Sequence, residues 1–514
     1  MTSRRHPSPA PGQHLPAIQH SPRAPAGSFS NDVKAVTALL LCFFPPERKK
    51  CSCKALPHRD ALHCTALQQG ALIDYFGRHE TMTKNAKQLA AARDLIEHIG
   101  EQLDIDVAVR LWDGTLVPLG GNVKSDLTIT IASPGTIASL LHRPSLDRLI
   151  RHYALGNIGF AGGTLIDIGE QLASKRSRGR LKKLQKGRLL RDLRPFLFAK
   201  GESHRKARSY AGDEVGGGDG ARDDKDFVQF HYDVGNEFYE LFLDREMTYS
   251  CGYFTSWDND LDKAQLDKLE MTCRKLRLTQ GEQLLDIGCG WGSMICYAAR
   301  NFGVRAHGVT LSQEQYDFAS DKIARLGLAD RVRIELKDYR ELDGSYDKIS
   351  SIGMYEHVGL ANLPEYFAKV RSLLSRDGLF LNHGITRRAK KKARKFSSRP
   401  EQRALQKYIF PGGELDHIGH TIEALEQHGF EVQDVEAWRQ HYALTTRLWC
   451  QRLTASRQRA EALVGPEMTR IWLAYLAGVS LAFTRGSARI YQTLASKSAK
   501  GRAPLPPTRT DLYE

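Results

Sequence analysis

The sequence predicts a doubly wound α/β domain of Rossmann-like type, preceded by a smaller α/β domain. A glycine-rich loop at 288–292 follows an apolar segment that is typical of a parallel strand. Strand-like and helix-like segments alternate after this loop. Between 201 and 226 the composition changes to stretches such as GGGDGARDDKD, which is typical of a linker. A chain of 514 residues is long enough for the two domains that this linker separates.

The first 82 residues form a leader rich in Pro, Ser, His and Arg, with no acidic residue before Asp32. It shows no sustained periodicity, which is typical of a disordered segment. Two explanations of the leader stay open: translation that begins at Met82, and an organellar transit peptide. Four cysteines fall in the leader, and their spacing matches no zinc site, so we predict no bound metal: Cys42, Cys51, Cys53 and Cys64.

The smaller domain is predicted over residues 85–200. Helical patterns occupy about 85–100, 134–141 and 145–153, whereas VAVRLWDGTLVPL and SDLTITIAS alternate as strands do, and GNIGFAGG supplies a glycine-rich turn. No segment here has catalytic spacing, so we interpret the region as a packing or lipid-docking domain. The larger domain is predicted over 227–498, followed by a disordered tail at 499–514.

The glycine loop predicts a pocket for a nucleotide-type ligand. Glycines 288, 290 and 292 let the backbone turn sharply and approach a ligand that a Cβ atom would exclude. The loop lacks the G-x-G-x-x-G frame, and the next strand, VRAHGVTLS, lacks the acidic residue that a dinucleotide site uses for ribose. Together with Asp286 at the end of its strand, and with Asp338 and Tyr339 after a later strand, this favours S-adenosylmethionine.

The chain resembles the cyclopropane-fatty-acyl-phospholipid synthases, including the mycolic acid cyclopropane synthases and related fatty-acyl methyltransferases, over residues 228–495. Residues 85–200 also resemble the amino-terminal domain of longer bacterial members. The motifs that carry the resemblance are FHYDVGNEFYELFLDREMTYSCGYF at 230–254, LLDIGCGWGS at 284–293, GVTLSQEQ at 308–315, SIGMYEHVG at 351–359 and LNHGIT at 381–386.

This resemblance implies a class I methyltransferase domain that cyclopropanates the cis double bond of unsaturated phospholipid acyl chains. It also implies a set of residues that hold S-adenosylmethionine: Tyr249, Ser250, Leu285, Asp286, Gly288, Cys289, Gly290, Trp291, Gly292, Thr310, Leu311, Ser312, Gln315, Tyr339 and Arg340. A bicarbonate ion would be held by a second set: Cys251, the Ile352 backbone, Glu356, His383 and Tyr442. Family members are often dimers, which implies a homodimer.

The expected chemistry explains the second set. An alkene attacks the sulfonium methyl as a weak nucleophile and leaves a carbocation, which must be shielded from water and then lose a proton. Bicarbonate would take that proton, with Glu356 orienting it. Without the surrounding motifs, Cys251, His383 and Tyr442 would be interpreted as ordinary core residues. Related enzymes quench the same cation to methyl-branched or methylene products, and the sequence leaves this alternative open.

An apolar tunnel is expected for the acyl chain. Its candidate walls are the aromatic-rich segment 237–254 and two carboxy-terminal segments that we interpret as helices, MTRIWLAYLAGVSLAF and ARIYQTLAS. No stretch approaches the roughly 20 apolar residues that span a bilayer. Widely spaced cysteines in the larger domain indicate reduced thiols and a cytoplasmic enzyme, peripheral at the inner membrane face.

The charge favours an anionic partner, since 74 Lys and Arg oppose 59 Asp and Glu, a formal net charge of +15. Basic residues are concentrated in the runs 175–208 and 387–399. Neither run carries interleaved stacking aromatics and no base-flipping signature is found, so we predict no nucleic acid partner. A non-catalytic lipid-binding protein would be expected to lack Gly288, Gly290 or Glu356, and all three are present.

Overall fold

The computed structural model describes residues 70–172, 184–197, 199, 201, 234–389, 403–404, 407–409, 414–497 and 505–513. Residues 1–69 of the predicted leader, the predicted linker after residue 201 and most of both basic runs lie outside these ranges. Within them, no helix is both long enough and apolar enough to cross a membrane.

The smaller unit is a four-stranded sheet with helices packed on it. Its elements are α1 (Gly70–Leu103), β1 (Ala108–Arg110), β2 (Leu116–Pro118), β3 (Thr128–Ile131), α2 (Pro134–His142), α3 (Leu146–Ala154), β4 (Ile158–Ala161), α4 (Leu165–Leu172) and α5 (Lys186–Leu197). The strand order is β2-β1-β3-β4, in which only β1 and β3 run parallel. One apolar cluster joins α1, the strands and α5.

Two predictions for this unit need correction. Helix α1 begins at Gly70 and not near residue 85, so residues 70–82 of the leader are helical. The segment GNIGFAGG contains strand β4, which pairs with β3 through Ile129 and Phe160, and is not only a turn. Glycines lower strand propensity, but pairing and burial of the flanking apolar residues outweigh that preference.

The larger unit begins with α6 (Asn236–Glu240), α7 (Leu261–Leu276), β5 (Gln283–Ile287), α8 (Ser293–Phe302), β6 (Arg305–Thr310), α9 (Gln313–Arg325), β7 (Val332–Leu336), β8 (Tyr346–Ile352) and α10 (Tyr355–Val358). It continues with α11 (Leu363–Leu373), β9 (Leu374–Arg387), α12 (Ile418–Gln427), β10 (Phe430–Ala437), α13 (Arg439–Ala455), α14 (Arg457–Thr484) and β11 (Ala488–Lys497). Short 3-10 turns follow β7 and α10, and another lies at Thr510–Leu512.

The seven strands form one sheet in the order β10-β11-β9-β8-β5-β6-β7. Strands β5 to β9 pair in parallel, whereas β11 is antiparallel to both of its neighbours. Consecutive residues of β5 face opposite sides: Leu284 packs with α7, α8 and α9, and Leu285 packs with α11 and α12. Helices thus cover both faces, and the predicted doubly wound α/β fold is confirmed.

The strand order places a cleft at a defined edge of the sheet. The chain passes from β5 outward to β6 and β7, then returns to β8 on the other side of β5. In open α/β sheets, ligands bind at the carboxyl ends of the strands where the order reverses in this way. The loop after β5 carries glycines 288–292, so the fold puts this loop at the reversal point.

Two predictions for the carboxy-terminal part were wrong. ARIYQTLAS is strand β11, not a helix, because it pairs with β9 on one side and β10 on the other. A strand buried on both faces is a short apolar run that sequence cannot separate from a buried helix. Residues 505–513 of the predicted disordered tail are described and packed, since Leu512 is buried and Arg509 pairs with Asp434 at 2.8 Å.

Helix α14 joins the two units. It packs against α3 and α4 of the smaller unit and against α13 of the larger one. Arg470 Nη1 donates to Ala154 O (3.0 Å), and Arg485 Nη2 donates to Gly169 O (2.9 Å). The opposite side of α14 brings Trp472 against Phe238, so the predicted tunnel walls at 237–254 and on this helix are in contact.

Candidate active site

A cleft opens at the carboxyl ends of β5, β6 and β8. It encloses about 950 Å³ of space, part of which is open to solvent, a volume in the range of small-molecule sites. Its walls come from five segments, listed in chain order: Met247, Thr248, Tyr249, Ser250; Lys268; Asp286, Ile287, Gly288, Cys289, Gly290, Trp291, Ser293, Met294; Val309, Thr310, Leu311, Gln315, Lys337, Tyr339; Ile352, Gly353, Met354, His357.

The glycine loop forms the floor of this cleft. Glycines 288, 290 and 292 have φ angles of +76°, +55° and +78°, which L side chains rarely adopt. The amide nitrogens of Gly288 and Cys289 both donate to Val309 O at 3.0 Å, so the loop is anchored to β6. Helix α8 starts directly afterwards at Ser293, and its amino-terminal N–H groups lie beside the cleft.

The β6 side presents neutral hydrogen-bonding groups. Thr310 Oγ1 donates to Gln315 Oε1 at 2.7 Å, and both residues line the cleft with Leu311. Ser312 does not line it, because its hydroxyl caps α9 by accepting from the Gln315 amide. This is the set of polar groups that the sequence offered in place of a ribose-binding acid.

Asp286 and Lys268 bring opposite charges to the cleft. The Asp286 carboxylate accepts a hydrogen bond from Ser350 Oγ (2.7 Å), and burial raises its pKa to about 6. Lys268 lies on α7 with its side chain almost fully buried, and burial lowers its pKa to about 8. Its ammonium donates to Ser250 Oγ at 3.2 Å. Buried groups with perturbed pKa values in a cleft are typical of functional sites.

The structure brings most of the predicted cofactor residues together. Those that line the cleft are Tyr249, Ser250, Asp286, Gly288, Cys289, Gly290, Trp291, Thr310, Leu311, Gln315 and Tyr339. Those that do not are Leu285, whose side chain is in the core, and Gly292, Ser312 and Arg340. Arg340 is turned to Asp338, with 2.6 Å between Nη2 and Oδ2, so neither member of this pair lines the cleft.

Three residues of the predicted bicarbonate set meet at Trp438. The Cys251 thiol lies 3.8 Å from Trp438 O, and the His383 ring sits edge-on to the indole at a centroid distance of 5.0 Å. The Tyr442 amide donates to Trp438 O as part of α13. All four residues are buried. Burial raises the pKa of the Cys251 thiol well above its ordinary value, so the thiol is protonated at neutral pH.

The other two members connect this group to the cleft. Ile352 lines the cleft and pairs with His383 across β8 and β9, where the Gly353 amide donates to His383 O at 2.9 Å. Glu356 lies on α10, partly buried, and its Oε2 accepts from the Ile385 amide at 3.4 Å. Burial raises the pKa of Glu356 to about 7. Ile352 is the member of the set that lines the cleft.

The buried rings offer donors suited to an anion. Gln492 places its amide nitrogen 3.3 Å from His383 Nδ1, which leaves the proton of the neutral imidazole on Nε2. Burial lowers the pKa of His383 well below its ordinary value. Within the described part of the chain, neither His383 Nε2 nor Trp438 Nε1 has a hydrogen-bond partner. A small oxyanion held by such donors fits the residues that are present.

Several cleft residues were missed by sequence reasoning. Met354 and His357 lie inside the motif SIGMYEHVG, so their neighbourhood was marked although their roles were not. Lys268 belongs to no motif that we singled out. Its signal is its position on the inner face of α7, where Leu261, Leu269 and Leu276 are buried. A lysine within an apolar helical stripe is unusual enough to indicate a specific role.

Comparison with known proteins supports a family assignment. The family model "Mycolic acid cyclopropane synthetase" matches residues 220–493. A "Probable fatty acid methyltransferase" of Pseudomonas putida is 38% identical over 421 residues, which is 80% of this chain and 98% of the relative. The "Cyclopropane-fatty-acyl-phospholipid synthase" of Escherichia coli K12 is 36% identical over 52% of this chain and 67% of its own.

Solved structures agree. The cyclopropane synthase MmaA2 from Mycobacterium tuberculosis superposes with a TM-score of 0.51 at 30% identity, over 53% of this chain and 98% of that one. The mycolic acid cyclopropane synthase CmaA1, solved with SAH and CTAB, gives 0.52 at 33% identity, over 54% and 99%. From the matched half of the sequence and the shared fold, this chain belongs to the mycolic acid cyclopropane synthetase family.

Proposed function

We propose that this protein transfers a one-carbon unit from S-adenosylmethionine to the cis double bond of an unsaturated acyl chain in membrane phospholipid, forming a cyclopropane. The observation that carries the proposal is the junction between the cleft and the buried group at Trp438, where Ile352 of the cleft wall pairs with His383. A cofactor methyl group and a bound base can therefore act within one continuous site.

S-adenosylmethionine fits the cleft. The glycine loop admits close approach, and Thr310 and Gln315 offer neutral partners to ribose hydroxyls. Tyr339 offers an aromatic face on the adenine side. The bound cofactor would supply an electrophilic methyl group on a sulfonium. This chain's own residues would hold it, and the aromatic side chains Tyr249 and Trp291 would exclude water from the reacting end.

Bicarbonate fits the buried group. His383 Nε2 and the Cys251 thiol would donate to it, and Tyr442 lies one helical turn from Trp438. Glu356, with a pKa of about 7, would be partly protonated at neutral pH and could donate to or accept from the ion. In this proposal the ion takes the proton, and the side chains fix its position.

The acyl chain would lie along an aromatic wall. Tyr239, Tyr249 and Trp472 contact one another with ring centroids 5.3 to 6.3 Å apart. Tyr249 belongs both to this wall and to the cleft, and its hydroxyl donates to Tyr475 on α14 at 3.2 Å. An apolar wall that reaches the cofactor is what a reacting double bond deep in a lipid tail requires.

A second candidate keeps the cofactor and the acyl chain and changes the product. In it, the cation is quenched to a methyl-branched or methylene chain. The P. putida relative, which covers 80% of this chain, is named a fatty acid methyltransferase, and a 37% identical relative of Mycobacterium tuberculosis is named "Tuberculostearic acid methyltransferase UfaA1". The two candidates differ in how the last proton leaves, so only the product separates them.

Product analysis tests the proposal. Purified protein is incubated with methyl-labelled S-adenosylmethionine and vesicles of unsaturated phospholipid, and the lipids are analysed by mass spectrometry and proton NMR. We expect a mass gain of one methylene with cyclopropane resonances. A methyl-branched or methylene product would establish the second candidate, and label in the head group would contradict both. A Glu356→Gln variant should lose turnover by about 100-fold while still binding the cofactor.

Three further expectations belong to this proposal. The enzyme would act as a cytoplasmic protein at the inner membrane face, the smaller unit would dock on lipid, and the active form would be a homodimer. Sedimentation and vesicle binding measure these properties directly.

A further inference from the structure

Lys268 is a nearly fully buried lysine at the wall of the cleft. Its side chain is 1% exposed on the inner face of α7, and it lines the same space as Ser250 and Asp286. A lysine is rarely buried to this extent without a partner of opposite charge. The position therefore calls for an explanation in terms of charge.

The partners of Lys268 do not balance its charge. Its ammonium carries three N–H donors, and it donates to the neutral Ser250 hydroxyl at 3.2 Å. Among the residues that the structure describes, no carboxylate closes an ion pair with it, although Asp244 and Asp286 lie near enough to stabilise the charge at longer range. By contrast, the buried lysines 275, 322 and 348 each pair with a glutamate.

Ser250 extends the positive charge into the cleft. Because its oxygen accepts from Lys268, the hydroxyl proton of Ser250 must point elsewhere and can be donated to a ligand. Gln265 holds this segment in place by donating to Ser250 O at 2.8 Å and Thr248 O at 3.2 Å. Lys268 and Ser250 thus form a rigid pair of donors, which suits an oxyanion.

Asp286 supplies the complementary charge. It ends β5, whereas Lys268 lies on α7, so the cleft carries a cation and an anion on different elements. Burial lowers the pKa of Lys268 and raises the pKa of Asp286, in both cases against the charged form. A ligand that carries both a carboxylate and an ammonium would restore both charges. The amino-acid end of S-adenosylmethionine is such a zwitterion.

We propose that Lys268, acting with Ser250, binds the α-carboxylate of the cofactor's amino-acid end. Lys268 is preferred as a ligand of this carboxylate over bicarbonate because it lines the cleft, whereas Cys251, Glu356, His383 and Tyr442 do not. The inference rests on the proposed use of S-adenosylmethionine. It adds a charged residue outside every motif that the sequence singled out.

Calorimetry with two ligands tests the assignment. One ligand is S-adenosylhomocysteine, and the other is S-adenosyl-3-thiopropylamine, which keeps the amino group and lacks the carboxylate. We expect the unmodified protein to prefer the first by about 10- to 100-fold, the range of a charge-assisted hydrogen bond. Lys268→Met should remove that preference by weakening S-adenosylhomocysteine alone. The matched control is Lys348→Met, a buried lysine that pairs with Glu282 away from the cleft.

Each outcome separates the two proposals. If the unmodified protein binds neither ligand, the proposed cofactor is wrong. Equal affinity for the two ligands in the unmodified protein would overturn the carboxylate subsite alone, even where Lys268→Met does not fold. The subsite is also overturned if Lys268→Met folds and keeps the preference while losing only its response to added bicarbonate, because Lys268 would then serve that ion.

Discussion

Glu356 is the residue whose environment says most about the chemistry. It is a carboxylate placed beside buried rings, with the Ile385 amide as its hydrogen-bond donor at 3.4 Å. One long hydrogen bond does not compensate the burial of a negative charge, so the pKa of Glu356 rises to about 7. A carboxyl group that titrates near neutral pH can both donate and accept, which suits a group that must orient a basic ion without adding to the substrate.

This raised pKa predicts a dependence of stability on pH. Between the ordinary Glu pKa of about 4.5 and the folded value of about 7, the folded protein binds more protons than the unfolded chain. The free energy of unfolding therefore falls as pH rises through this window. Glu356→Gln removes the effect, so the variant should gain about 2 kcal/mol relative to the unmodified protein between pH 5.5 and pH 8. Urea unfolding at both values measures this difference.

The control for this prediction is Glu365→Gln, which changes the same residue type at an exposed position of α11. Its stability relative to the unmodified protein should be the same at pH 5.5 and pH 8. If Glu356→Gln behaved in the same way, the carboxyl would be adequately solvated in the folded state, and its proposed role as a neutral-pH donor would lose its basis.

At the scale of elements, the sequence was most informative where local geometry and chemistry coincide. The unit β5, glycine loop and α8 was predicted because the glycines need positive φ angles at the very residues that face a ligand. Strand β11 was misassigned because burial on both sides removes the alternation that distinguishes strand from helix. Lys268 was missed because its role depends on β5 and on Ser250, which only the folded chain brings near α7.

Helix α14 contains a break that predicts a pair of opposite mutational effects. Gly465 has φ +82° and ψ +160°, a conformation that is essentially restricted to glycine. No atom lies within 4 Å of a Cβ built at Gly465 or at Gly478, which is helical and exposed. Gly465→Ala should therefore destabilise the protein by about 1–3 kcal/mol through backbone strain alone. Gly478→Ala should stabilise it by about 0.5–1 kcal/mol.

Thermal or urea unfolding of the two variants measures these effects in parallel. Because neither added methyl group meets a neighbour, their difference isolates the backbone conformation. A Gly465→Ala variant as stable as Gly478→Ala would show that α14 can run straight through this position. The break would then be an accident of sequence and not a device that directs Trp472 toward the aromatic wall.

For the molecule as a whole, the arrangement of the two units and the charge matter most. Helix α14 contacts the smaller unit through Arg470 and Arg485 and the aromatic wall through Trp472. The smaller unit is therefore held close to the face where an acyl chain would reach the cofactor. A formal charge of +15 gives the chain an attraction to anionic surfaces that acts before any specific contact.

This charge predicts salt-dependent binding to membranes. The attraction of exposed charges to anionic lipid decays over a Debye length of about 10 Å at 0.1 M salt and about 3 Å at 1 M. Flotation with anionic vesicles should show strong binding at low salt that falls steeply as salt is raised, and binding to neutral vesicles should be weak throughout. Anionic binding that does not change with salt would indicate apolar insertion in place of electrostatic attraction.

A charge-removal series locates the attraction. Replacing Lys390, Lys391 and Lys392 with Gln removes three charges from the basic run 387–399, and each lysine near an anionic surface contributes about 1 kcal/mol. We expect a larger loss of vesicle affinity than for a control that removes three charges elsewhere, at the exposed residues Lys263, Arg305 and Arg325. Equal losses would mean that total charge alone governs binding. A larger loss for the first variant would assign the membrane-facing side to the region that follows β9, the strand that carries His383.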